Sequence, residues 1–87
     1  MRYEYRETEE VLDIIRIKDD YKYIIRLFKD SSDVALIVEK LEGEKFRVLR
    51  VVYGKYDHNR LAKMLSEDGF EKTFITVEKE ILRLKHK

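Results

Sequence analysis

The sequence predicts an all-α domain of about six helices, and three observations predict it. Apolar residues recur at i, i+3, i+4 and i+7 in several stretches, and residues that favour helix ends flank them. Adjacent apolar pairs at Ile14-Ile15, Ile24-Ile25 and Ile37-Val38 also interrupt the alternation that a strand with one buried face would have.

Thr8 precedes EEVLDIIRIK, whose Glu9 and Glu10 would set carboxylates in a first turn, where the helix dipole favours them. Asp20 precedes YKYIIRLFK, in which Tyr21, Ile24, Ile25 and Phe28 repeat the helical spacing. Ser32 stands as N-cap before Val34, Ile37, Val38 and Leu41, with Gly43 just past the end. EKFRVLRVVYG gathers Phe46, Leu49, Val52 and Tyr53 on one side before Gly54, and HNRLAKMLSEDG gathers Leu61, Met64 and Leu65 before Gly69. From Thr73 onward Phe74, Val77, Ile81 and Leu84 share a face, while Thr76, Lys79, Arg83 and His86 lie on the other. The alternative is an α+β chain in which residues 10–53 form an antiparallel meander followed by helices. Ile, Val, Tyr and Phe favour strands, and KDDYK, KDSSD and LEGEK read equally well as hairpin turns.

At 87 residues, with 44% apolar content, six Tyr and four Phe, the chain suits a single domain. Residues 1–43 are expected as acidic N-terminal helices and 44–87 as the functional core. Without Cys there is no disulfide or thiolate metal site, and His58 and His86 are too distant in sequence to form a local ligand pair, so no metal or cofactor is expected. His58 reads as a helix-entry residue, Glu7, Glu9 and Glu10 as helix N-terminal charges, and the tyrosines as core and rim. No catalytic constellation appears, which argues against an enzyme. No run is apolar enough to cross a bilayer, and MRYEYRETEE lacks the hydrophobic centre of a signal peptide; a cytoplasmic protein without membrane partners is expected.

Charge is uneven along the chain. Residues 1–43 hold eight Lys/Arg against eleven Asp/Glu, net −3, and residues 44–87 hold eleven against seven, net +4. Such asymmetry suits a polyanion-facing side, although charged surface helices often have no such role.

Residues 44–87 resemble the three-helix core of helix-turn-helix DNA-binding domains: FRVLRVVYG as first helix, NRLAKMLSEDG as second, the stretch around TFITVEKEILRLK as third, with Ala62 at the small position of closest approach. LAKMLSEDGFEKTFITVEKEIL is similar to the arginine repressor's DNA-binding domain in its Gly-Phe turn and its threonines. The whole chain looks more loosely like sigma-factor region 4 and small phage regulators. Two features depart from the pattern: the turn over residues 66–71 is long, and no room follows for a β-wing.

The resemblance implies a sequence-specific, double-stranded DNA-binding transcriptional regulator. Its reading residues would be Thr73, Thr76, Lys79 and Arg83, with Lys55, Arg60, Lys63 and Lys72 on phosphates. Because Glu78 and Glu80 flank Lys79, those cations read equally as a solvated face. Partners would be duplex DNA, a second subunit, or a transcription-machinery protein met through residues 1–43. Two alternatives come from other classes: a helical protein-interaction adaptor and, on the meander reading, a small sheet-plus-helix domain binding single-stranded nucleic acid.

Overall fold

A computed structural model describes residues 1–85, and its first 55 residues contain strands instead of helices. β1 (Arg2–Glu7), β2 (Val11–Lys18), β3 (Tyr21–Phe28), β4 (Asp33–Glu42) and β5 (Lys45–Lys55) form one antiparallel sheet in sequential order, and α1 (His58–Lys85) lies across one face. The protein is therefore α+β, and the expectation of an all-α, six-helix domain is overturned. The acidic segment 1–43 is four strands of a meander, and its boundary at residue 43 falls in the β4–β5 turn.

The apolar pairs that suggested helices have a different cause. Along a strand successive side chains alternate between faces, so Ile14 and Ile15 point to opposite sides of the sheet. Both sides are apolar here. Pairing aligns Tyr5, Ile14, Ile25, Leu36 and Val52 across the helix side, and Glu4, Ile15, Ile24, Ile37 and Val51 across the open side. A strand apolar on both faces loses its two-residue period and acquires adjacent pairs that imitate a helical stripe.

The end signals were ambiguous for a related reason: short hydroxyl and carboxylate side chains bond nearby backbone in hairpin turns as well as at helix N-termini. The Thr8 hydroxyl accepts the amides of Glu10 (3.3 Å) and Val11 (3.1 Å) in the β1–β2 turn. Ser31 accepts the Asp33 amide at 3.1 Å in the β3–β4 turn. Asp19 (φ 55°) and Gly43 (φ 66°) take the left-handed conformation in the two tight turns.

Asp57 caps α1, its carboxylate accepting the Asn59 amide at 2.9 Å. Leu61, Phe74, Val77 and Ile81 are buried against Ile14, Ile25, Val34, Leu36 and Val52, forming the core. Gly69 (φ 84°, ψ 177°) interrupts α1, dividing it into two helical stretches. That break is where the turn of a helix-turn-helix was expected. The stretch matched to the first of the three helices, FRVLRVVYG, lies inside β5, so the trihelical core does not exist and the resemblance to arginine repressor and sigma-factor region 4 fails. His86 and the side chain of Leu84 lie outside the described residues.

Candidate nucleic-acid interface

Strand register determines which side chains share the helix-side face. Towards the β3–β4 turn, its rows are aliphatic and covered by α1. Towards the β2–β3 and β4–β5 turns, the composition changes. One row reads Tyr3, Arg16, Tyr23, Val38, Arg50, and the next reads Lys18, Tyr21, Lys40, Arg47. Cations and tyrosines are interleaved across the five strands, with Val38 the single aliphatic residue and Lys40 beside Arg47 at the end of the second row. Glu42 follows one step further along β4.

The geometry within these rows is specific. Tyr21 and Tyr23, two residues apart on β3, have ring centroids 6.3 Å apart. The Arg16 guanidinium stands 4.4 Å from the Tyr23 centroid and 4.6 Å from that of Phe74 on α1. It donates to both Glu78 oxygens at 3.2 and 2.9 Å, so Arg16 is held in place from α1. Lys40 Nζ lies 5.9 Å from the Tyr21 centroid. Tyr21, Tyr23, Arg16 and Lys40 are half-buried, whereas Lys18, Arg47 and Arg50 are exposed. Arg47 donates to Glu42, whose carboxyl is thereby held below the usual carboxylate range. Tyr3 and Tyr23 pack against the core and Arg16 covers the Tyr23 ring, so Tyr21, beside Lys40 and the exposed Lys18, is the ring in these rows best placed to stack on a flat ligand, with Arg47 and Arg50 as exposed cations for anionic oxygens.

Of the residues predicted to contact DNA, Lys72, Thr76, Lys79 and Arg83 share one face of α1 after Gly69, at i, i+4, i+7 and i+11, and the others lie elsewhere. Thr73 is fully buried and cannot reach a groove, which corrects its assignment as a base reader. Arg60 donates to Glu80 at 3.1 and 2.9 Å and lies 5.6 Å from the Tyr56 ring centroid. Lys55 pairs with Asp33. Lys63, Lys72, Lys79 and Arg83 are exposed on α1 and Thr76 is half-buried, but Lys63 stands before the Gly69 break and Lys79 after it. Thr76 and Lys72 border a shallow depression with Asp68 and Glu71, whose carboxylates oppose a phosphate.

Sequence reasoning missed the interleaved rows altogether. The signal was present in YKY at 21–23 and YEY at 3–5, where tyrosines recur at the period of a strand. Two further features were invisible without the fold. Asp13, fully buried on the open side, accepts from Arg26 at 2.8 and 3.0 Å and from Arg6 at 3.0 Å. Burial pushes its carboxyl up, but the hydrogen bonds from Arg26 and Arg6 outweigh that and hold it below the usual range. The Tyr56 phenol is pushed up to about 12, chiefly by burial and then by Glu80.

A separate recess of about 360 Å³ lies between the first half of α1 and the sheet, with mostly apolar walls including Leu12, Leu27, Leu61 and Phe70. No helix among the described residues is long and apolar enough to cross a membrane. Comparison with family models, with curated proteins and with solved structures finds no match to this chain.

Proposed function

We propose that the chain is a binding module for single-stranded nucleic acid and that the interleaved rows on the helix side of the sheet are its contact surface. The observation carrying this reading is the side-by-side placement of Tyr21 and Tyr23 between Arg16, Lys18, Lys40, Arg47 and Arg50. Unpaired bases present flat rings that stack on aromatic side chains, and their phosphates attract the surrounding cations without sequence preference. A duplex hides its base faces, so stacking rows favour single strands. The reading assigns binding instead of catalysis and goes with a cytoplasmic location, where such strands are met.

Fluorescence anisotropy with a labelled single-stranded oligonucleotide and its duplex tests the reading. The single strand should bind more tightly, and affinity should fall as salt rises because counterions are released. Tyr21→Ala or Tyr23→Ala should each cost about 1–3 kcal/mol of binding. Lys18→Ala or Arg50→Ala should instead lower the logarithmic salt slope by roughly 0.7 each. Preference for the duplex, or binding indifferent to both tyrosines, would reject the reading.

A further inference from the structure

The sheet's other face carries a second, independent signal. Among the described residues no element packs on it, yet its middle row is Ile15, Ile24, Ile37 and Val51. Towards β5 it becomes progressively exposed and apolar: Ile15 and Ile24 are 4% exposed, whereas Tyr53 is 62% exposed, Val48 51%, and Phe46 and Val51 39% each. Five of the eight exposed large hydrophobic residues among the described residues belong to this one strand, four of them on this face. Contiguous apolar patches of this kind mark interaction sites.

We infer that this face packs against the same face of a second copy of the chain, forming a two-sheet sandwich with both helices outermost. Charge selects the occupant. The ionic groups of the face nearly balance, five cations against four carboxylates: Arg6 and Arg26 surround Asp13, Arg2 pairs with Glu4, Lys55 pairs with Asp33, and Glu39 is the register partner of Lys22. Lys22 lies over the Phe46 ring, 4.1 Å from its centroid, which leaves little field to recruit an acidic or basic partner. The complement of a neutral apolar face is another such face, and a two-fold axis supplies it from the same chain.

Area is consistent with this. Five strands about 4.8 Å apart, each with about eight residues at ~3.3 Å, present roughly 600 Å² in projection. A standard interface buries about 800 Å² of accessible surface per partner; protruding side chains must supply it, and because Asp13, Ile15, Ile24 and Ala35 are at most 4% exposed, the apolar contact is made at the β4–β5 end of the face. Growth of the sheet at its edge is a poorer fit. β5 carries Lys45, Arg47, Arg50 and Lys55, and a register irregularity sits opposite Val38 and Glu39, features that discourage strand addition.

Sedimentation equilibrium of the intact chain tests the proposal, with a dimer expected at twice the 10.6 kDa chain mass. Val51→Lys should weaken dimerisation at least about tenfold, because a charge would enter the apolar β5 patch that the interface removes from water. Since Val51 is exposed in the single chain, circular dichroism should stay unchanged. Lys18→Ala, on the opposite face, should leave the dimer intact. For the unsubstituted chain, dilution should move the amide resonances of Ile37, Val48 and Val51, a readout that does not depend on any variant folding. A monomer at every concentration, a dimer indifferent to Val51→Lys, or new hydrogen-exchange protection confined to the outer edge of β5 would each overturn the proposal.

Discussion

Asp13 is the residue whose chemistry most exceeds its local sequence. It sits on a strand between Leu12 and Ile14, fully buried, and its negative charge is tolerated because Arg26 and Arg6 bind it through three hydrogen bonds. Removing the charge by Asp13→Asn should cost about 1.5–3 kcal/mol, the worth of hydrogen bonds to an ionised group. The pH dependence has a definite sign. The folded carboxyl titrates below its unfolded value, so the unfolded chain takes up protons first as pH falls. The stabilisation is complete above about pH 4, where the unfolded carboxyl ionises, and is lost as pH drops through the lower folded value. Urea titrations of both proteins at neutral pH and at about pH 3 should show the difference in stability shrinking in acid. A difference unchanged by acid would mean the charge contributes nothing and only side-chain shape matters.

Among the elements, α1 poses the sharpest question, because its break at Gly69 combines φ 84° with ψ 177°. That region is essentially closed to residues with a Cβ. No atom lies within 4 Å of where such a Cβ would stand, so backbone strain and not crowding determines the effect of substitution. Gly69→Ala should therefore lower stability by about 1–3 kcal/mol in thermal unfolding. Were the break incidental, the same change would favour a continuous helix and raise stability by about 1 kcal/mol, the opposite sign. The second half of α1 must leave the line of the first, because Phe70 stacks on Tyr5 and Phe74 meets Tyr3 at the β1 edge, with centroids 5.3 and 5.9 Å apart. The elements also separate what the sequence made legible from what it hid. The apolar face of α1 could be read from Leu61, Phe74, Val77 and Ile81, since a helix with one covered side keeps its period. The strands could not be read in that way, because Ile15, Ile24 and Ile37 make the open face apolar too. KDDYK and LEGEK were correctly visible as turns on the meander alternative, but nothing local weighs a turn against a helix boundary. The candidate site was hidden more deeply. Tyr3, Arg16, Tyr23 and Arg50 come into one row only through register across five hairpin-linked strands.

For the molecule as a whole, the sheet separates two surfaces of different character, a basic aromatic one beside α1 and a neutral apolar one on the far side. The uneven charge of the sequence does not map onto two halves in space. Lys40 of the acidic half stands opposite Arg47 of the basic half. Side chains on the two faces project in opposite directions, and exposed charges are screened over about 8 Å in physiological salt. The two surfaces should then act independently. In single-strand binding, Lys40→Ala and Val51→Lys combined should cost the sum of their separate effects to within about 0.5 kcal/mol. Each chain should also take up one short strand in both monomeric and dimeric forms, because a sandwich with its helices outermost turns the two binding rows away from each other. Isothermal titration of the four proteins measures both quantities. Coupling well above that margin would mean that the strand wraps over the β5 edge, touching Arg47 and Arg50 on one face and Phe46 and Val48 on the other. Nucleic acid and a second copy would then compete for β5, and binding one would release the other.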